Sequence, residues 1–308
     1  ERRLPQDGRI RIKVDGRELD LRVATMPVAF GEGVHIRILT SRLFLELEKL
    51  GFLPENLAII EQALRKQHGI IFVTGPTGSG KSTTLYAALA RLNHPTRKII
   101  TIEDPIEYQM YGVNQMQINP AVGLSFAASL RNVLRHDPDI LMVGEVRDRE
   151  TADIAIRSAL TGHLVFSSLH TNDAAGTVTR LLDMGIEPFL VASSLECLIA
   201  QRLVRLICPE CKEPVEGSEN PGGQVFYEGK GCPACRFTGY RGRTGIHEIV
   251  PMSEAIRTMI LKNASSQEIK EKAVAEGMVT LREDGFKKAA MGLTTTTEVF
   301  RVTQQDDT

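Results

Sequence analysis

The sequence predicts an α/β fold, a mainly parallel sheet covered by helices on both sides. Three observations lead there. Short apolar runs at Ile70–Val73, Ile99–Ile102, Ile140–Val143 and Leu164–Leu169 alternate with helical stretches, as strands buried on both faces do. A glycine-rich loop separates the first of these runs from a helix-forming segment. The composition, 42% apolar and 24% charged over 308 residues, is that of an ordinary globular chain with material for about two domains of ~150 residues.

Before the glycine loop, residues 9–39 alternate apolar and polar side chains with period two, which predicts three strands with a hairpin turn at Asp15-Gly16. So small a sheet is expected to be the end of a larger domain, packed on something else. Residues 41–68 read as helical, with Pro54 opening a helix whose face carries Leu57, Ile60, Ala63 and Leu64. Pro188 to Ile207 is apolar but broken by Glu196, Gln201, Arg202 and Arg205, and reads as an amphipathic helix with Cys197 as plain core. Residues 206–240, rich in Gly, Pro and Cys, form a separate insert with a mobile loop expected at Glu216–Gly223. The chain after Gly245 reads as mostly helical, with a fraying tail at Gln304–Thr308.

Charge and composition exclude some classes. With 37 basic and 38 acidic residues, the net charge of −1 gives no global reason to expect nucleic acid or anionic lipid as partner. No run of ~20 uninterrupted apolar residues exists, so no membrane-crossing helix is expected. The chain opens Glu1-Arg2-Arg3, without an initiator Met or an apolar signal, and reads as a fragment of something longer.

Gly75-Pro-Thr77-Gly78-Ser79-Gly80-Lys81-Ser82 fits G-x-x-x-x-G-K-[ST] in full, between a strand and a helix. The glycines let backbone N–H groups face phosphate oxygens, and the helix N-terminus adds positive potential. Lys81 supplies a charge to the terminal phosphates and the Ser82 hydroxyl a ligand for Mg²⁺; Thr77, Ser79 and Thr83 complete the binding segment. The absence of N-K-x-D favours ATP over GTP.

Ligands of open parallel sheets bind at the carboxyl ends of strands. Here those ends deliver Glu103, Asp104 and Glu107, then Glu145 behind Gly144, then His170. Glu145 takes the usual Mg²⁺ or water-positioning place, and Glu103 is a candidate to orient or deprotonate the attacking water. Alternatively these acids only cap the helices that follow. His170 falls where a strand end meets the γ-phosphate, whereas His163 starts the same strand at its other end. Arg22 and Arg37 lie on the early strands, and Arg131 and Arg135 share one helix face before the Glu145 strand. A well-placed arginine accelerates phosphoryl transfer by ~10³–10⁵; the bland reading of all four is surface charge.

Five cysteines include the pairs Cys208-x-x-Cys211 and Cys232-x-x-Cys235. Four thiolates at this spacing suit a closed, structural tetrahedral Zn²⁺ in a reducing compartment; two disulfides or another metal are the alternatives.

Taken together, GPTGSGKST, TIEDPIEY, RHDPDILMVGEVRD, TGHLVFSSLHTNDA and GYRGRTGIHE resemble the signatures of the type II secretion and type IV pilus assembly ATPase family along essentially the whole chain. The resemblance implies a RecA-like ATPase core over residues 55–308, with the zinc insert at 206–240 and a helical C-terminal region at 246–308. It implies a linker at 41–54 and, at 1–40, the C-terminal part of a truncated α+β (PAS-like) domain. Glu103 and Asp104 then fall in the family's Asp box, Glu145 at its Walker B position, and His163 and His170 in its His box. Arg22 and Arg37 match arginines that reach the nucleotide from the smaller domain, and Arg131 and Arg135 those of the core. ATP, Mg²⁺ and Zn²⁺ are the implied cofactors. The implied assembly is a homo-hexamer on the inner face of the bacterial cytoplasmic membrane, acting on an inner-membrane platform protein without entering the bilayer. The four-cysteine insert points to the assembly and secretion branch. Two other classes stay open: a small-molecule kinase with a zinc lid, and a nucleic-acid translocase, for which a basic groove and stacking aromatics are missing.

Overall fold

The computed structural model describes residues 1–14, 17–39, 46–215 and 225–303. The expected turn at Asp15-Gly16, the first part of the linker, the loop at Glu216–Gly223 and the tail at Gln304–Thr308 lie outside the described residues. The chain divides into two compact units, Glu1–Phe44 and Leu45–Thr308.

In the first unit, β1 (Gln6–Val14), β2 (Arg17–Val28) and β3 (Gly31–Leu39) form an antiparallel meander in chain order. The period-two pattern sets its register: Ile10 faces Leu21, which faces Ile38, and Arg22 faces Arg37. Apolar positions therefore share one face and the arginine positions the other. Among the described residues of this unit no second layer covers the apolar face, and Ile10, Ile36 and Ile38 stay exposed.

The second unit begins with α1 (Pro54–Leu64), β4 (Gly69–Thr74), α2 (Lys81–Leu92), β5 (Ile99–Glu103), β6 (Val113–Gln117) and α3 (Phe126–Val133). It continues through β7 (Ile140–Val143), α4 (Arg149–Leu160), β8 (Leu164–Leu169), α5 (Gly176–Asp183) and α6 (Pro188–Ser194) to the long β9 (Leu195–Ile207). A small hairpin of β10 (Lys212–Pro214) and β11 (Tyr227–Gly229) precedes β12 (Tyr240–Pro251). Helices α7 (Glu254–Leu261), α8 (Ser266–Ala275), α9 (Leu281–Ala290) and α10 (Thr296–Thr303) complete it. Reciprocal capping boxes start α8 at Ser265/Glu268 and α9 at Thr280/Glu283, each cap worth ~1 kcal/mol.

Seven strands make one sheet in the order β12-β9-β4-β8-β7-β5-β6, parallel throughout except for the antiparallel pairing of β12 with β9. Alternate residues feed two cores. Ile70 and Phe72 of β4, Leu141 and Val143 of β7 and Val165 of β8 face one, shared with α3 and α4. Ile71, Val73, Met142 and Phe166 face the other, shared with α1 and α2. Burial on both sides is why these strands read as unbroken apolar runs.

The structure corrects the helix expected over Pro188–Ile207. Only Pro188–Ser194 is helical; the rest is β9, buried along nearly its whole length, with Cys197 in the core. Gly245 likewise lies inside a strand, β12, and the helices begin at Glu254. Between residues 46 and 68 the described helical structure is a short 3₁₀ turn, Leu47–Leu50, and α1.

Candidate functional site

Strands β4, β5, β7 and β8 end close together, the end of β7 lying two residues short of the end of β8. Thr74 pairs with Leu169, Val143 with Ser167, and Ile102 with Val143. At ~4.8 Å between neighbours, this register brings the segments after β4, β8 and β7 to adjacent places on the carboxyl edge.

The loop after β4 folds around glycines with positive φ, Gly75 (148°), Gly78 (82°) and Gly80 (93°). A Cβ on Gly75 would lie 2.5 Å from the Gln201 carbonyl oxygen, so the loop packs on β9 in a way that only glycine permits there. Helix α2 starts at Gly80 without a side-chain cap, so its first-turn N–H groups are available to an anion. Lys81 Nζ donates to the carbonyls of Gly75 at 2.8 Å and Pro76 at 3.2 Å. Burial lowers the Lys81 pKa, opposed by the charge of Glu145 and assisted by that of Arg202. Thr77, Gly78 and Ser82 are exposed, Thr83 is half-buried and Ser79 is buried. A concave backbone, an uncapped helix start and a resident ammonium fit a phosphate chain; Ser82 and Glu145 offer the oxygen donors that Mg²⁺ requires.

Glu145 follows β7 and sits at the centre of a charge cluster. Arg147 Nη2 lies 2.5 Å from its Oε1, and His170 Nε2 lies 3.6 Å from its Oε2. Arg147 also reaches Asp104 at 3.9 Å. His170 is half-exposed; burial, with the positive charge of Lys81, lowers its pKa, so near neutral pH its imidazole is uncharged. Lys81, Glu145 and His170 thus stand within electrostatic reach of one another.

Glu103 is placed differently. It is buried at 4% exposure, and one carboxylate oxygen accepts from Tyr86 Oη while the other accepts from Thr101 Oγ1 and from Gln115 Nε2 at 3.1 Å. Burial, followed by the bond to Glu103, pushes the Tyr86 phenol far up. Glu107 is half-buried. The other expected site residues have partners of their own. His163 lies at the opposite end of β8, where Nδ1 is 2.9 Å from the Ser158 carbonyl oxygen, so the structure does not bring it to Lys81. Arg131 pairs with Glu150 on α4. Arg135, in a 3₁₀ turn beyond α3 (Leu134–His136), donates to the Arg131 carbonyl at 3.1 Å and to the Asn132 side chain. Arg22 and Arg37 are neighbours across β2 and β3 of the first unit.

Arg147, Gln201, Arg202 and Glu248 escape the sequence reading. Arg147 had a signal, its place two residues after Glu145. The other three are polar residues inside strands whose partners lie far along the chain. Glu248 on β12 is 1% exposed and accepts from the Ala174 N–H at 3.0 Å, pinning the segment after His170. Burial pushes its pKa up from 4.5 to about 7. The folded value exceeds the unfolded one, so the stabilisation from holding this carboxyl neutral is complete below pH 4.5 and lost as pH rises through about 7. The loss corresponds to about 3 kcal/mol. Glu248→Gln, whose carbonyl can still accept from Ala174, is expected to remove this decline. Melting temperatures of both proteins at pH 5 and pH 8 check it, and parallel pH curves would contradict the assignment.

The four cysteines cluster as expected. All four Sγ atoms lie within 4.8 Å of one another, with Cys208–Cys232 at 3.8 Å, Cys211–Cys235 at 3.9 Å and Cys232–Cys235 at 3.8 Å. Sulfurs ~2.3 Å from a tetrahedral Zn²⁺ stand ~3.8 Å apart, so the cage has the size of that ion. The N–H of Cys232 donates to Cys235 Sγ at 3.1 Å and that of Gly231 to Cys211 Sγ at 3.3 Å. The Cys232 N–H, with that of Gly239, favours the thiolate of Cys235 and lowers its pKa. Such donors to sulfur are the outer support that thiolate cages use.

Comparison with known proteins shows the family of the chain. A family described as type II/IV secretion system protein matches residues 1–301. The type II secretion system protein HxcR of Pseudomonas aeruginosa is 52% identical over 99% of this chain and 63% of its own length. The type IV pilus assembly ATPase PilB of Myxococcus xanthus is 49% identical over 99% of this chain and 56% of its own. The chain therefore spans about three fifths of the curated relatives it matches. The solved structure of the pilus retraction motor PilT with bound ADP superimposes with a TM-score of 0.71 at 30% identity, covering 97% of this chain and 78% of PilT. In that structure and this one the same α/β core recurs. With a glycine loop, a strand-end glutamate and a strand-end histidine converging on one edge, and the whole sequence matching, the chain belongs to the type II/IV secretion system protein family.

Proposed function

We propose that this chain is the ATP-hydrolysing part of a hexameric motor that powers type II secretion or type IV pilus assembly. It would act at the inner face of the cytoplasmic membrane on a platform protein of the machinery. The meeting of Lys81, Glu145 and His170 on one sheet edge carries the reading, and relatives named for secretion and for pilus assembly support the setting.

In this reading the phosphates lie on the N–H groups of Gly78 and of Gly80 to Thr83 with the Lys81 ammonium among them. Ser82 and Glu145 would hold Mg²⁺, which would supply charge neutralisation for the outer phosphates. Glu145, on the edge beside His170, orients the attacking water, whereas Glu103 is buried and bonded to Tyr86, Thr101 and Gln115. Glu103 then holds the sheet edge rigid beneath the water. Neutral His170 offers one N–H to the γ-phosphate and so reports whether it is present. Arg22 and Arg37 supply guanidinium charge to the phosphates, and turnover moves the two units against each other.

Phosphate release should rise more than proportionally with protein concentration and show no response to DNA or to an acceptor metabolite; strong stimulation by either would overturn the reading. Subunit mixing tests the arginines. Lys81→Ala and Arg37→Ala proteins, each inactive alone, should recover activity when co-assembled if Arg37 acts across a subunit boundary. Co-assembled rings that stay at the level of the single variants would assign Arg37 to structure only.

A further inference from the structure

Beneath the phosphate loop lies a residue that no part of the motif contains. Thr74, the last residue of β4, pairs with Ala200 on β9. Gln201 is therefore the first β9 residue past that pairing, at the level where β4 gives way to the loop. It is 3% exposed. Its carboxamide Nε2 donates to the Ser79 carbonyl at 2.9 Å, and its Oε1 accepts from the Thr84 hydroxyl at 2.6 Å. The Ser79 oxygen can only accept, so the orientation of the amide follows from its partners.

We propose that Gln201 is a positioning residue that aims the phosphate loop. The inference rests on the reading of that loop as a nucleotide site. The peptide joining Ser79 and Gly80 is planar and trans, so its C=O and N–H point in opposite directions. Because the Ser79 carbonyl is held down against Gln201, the Gly80 N–H is turned up, away from β9 and toward the phosphate side. The bond to Thr84 fixes the first turn of α2 by the same side chain, so loop and helix keep one relative orientation. The fit leaves no slack: a Cβ on Gly80 would lie 2.7 Å from Gln201 Nε2. Only a carboxamide donates and accepts from one planar end; leucine does neither, and an ionised glutamate loses the donor.

The whole chain is tested as Gln201→Leu and Gln201→Glu, with Lys81→Ala as reference. Binding of fluorescent ADP and ATP, the KM and kcat for ATP and the melting temperature are measured for each. Loss of an aimed N–H weakens binding of both nucleotides alike, so Kd for each and KM are expected to rise about tenfold while kcat changes less than about threefold. The glutamate variant, which keeps the shape and the Thr84 acceptor, should show the same loss and serves if the leucine variant does not fold. Wild-type affinity in a folded variant, or a lower melting temperature with affinity unchanged, would overturn the proposal. If Lys81→Ala binds nucleotide as tightly as the unchanged protein, the reading of the loop fails instead.

Discussion

Lys81→Ala is expected to lower ATP turnover by at least about 10²-fold, the usual cost of removing one preorganised charge-stabilising donor. The ammonium is held in the loop by two neutral carbonyls, Gly75 and Pro76. Burial costs it part of the water shell it would have in solution, as its lowered pKa shows. An anionic phosphate oxygen is a better partner than either carbonyl, so binding exchanges weak contacts for charge-assisted ones. Alanine removes the charge at the point where the triphosphate is most negative. The fold should survive, because Lys81 opens α2 at the surface of the site and is only half-buried. Steady-state phosphate release together with calorimetric ATP binding measures the effect. A folded variant with unaltered turnover would remove Lys81 from the site.

Loss of the metal should have the second large effect, on structure. Protein purified without chelator is expected to carry about one zinc per chain. Between Ile207 and Tyr240 the buried hydrophobic residues, among those described, are Cys208 and Cys235 themselves. Such a segment has no apolar core to fall back on. Structural zinc contributes ~10–16 kcal/mol in small peptides, which exceeds what the β10–β11 hairpin supplies, since two short strands are marginal alone. Chelation, or Cys208→Ser with Cys235→Ser, should open this segment to protease while the seven-stranded sheet persists. Elemental analysis and mapping of the first cleavage sites provide the check. Equal protease resistance with and without metal would show that the cysteines pack as ordinary core.

How far the chain can be read without coordinates depends on how local each signal is. The glycine loop, the two C-x-x-C pairs and the strand-end Glu145 and His170 are local patterns with a chemical reason for their spacing, and the structure places Glu145 beside His170 and gathers the four cysteines. The segment Leu195–Ile207 misleads because it is buried on both faces, so neither period two nor period 3.6 stands out. Its Gln201 and Arg202 look like the polar side of a helix, yet they are strand residues bonded to the loops at Ser79 and Asn172. Edge strand β6, Val-Asn-Gln-Met-Gln, has too little apolar pattern to notice. Most hidden are buried charges such as Asp284 and Lys288, paired at 2.7 Å beneath β12 and bonded to His247 and Gly245 from a distant helix. A charge whose partner lies beyond its own element leaves no mark in the local sequence.

The four-cysteine segment leaves and rejoins the sheet at adjacent points. Ile207 pairs with Tyr240, and the Cys208 N–H donates to the Gly239 carbonyl at 2.9 Å. The four-cysteine module is therefore a cassette on a closed stem. A splice between these two strands could delete, lengthen or exchange it while leaving intact the part of β9 that carries Gln201 under the glycine loop.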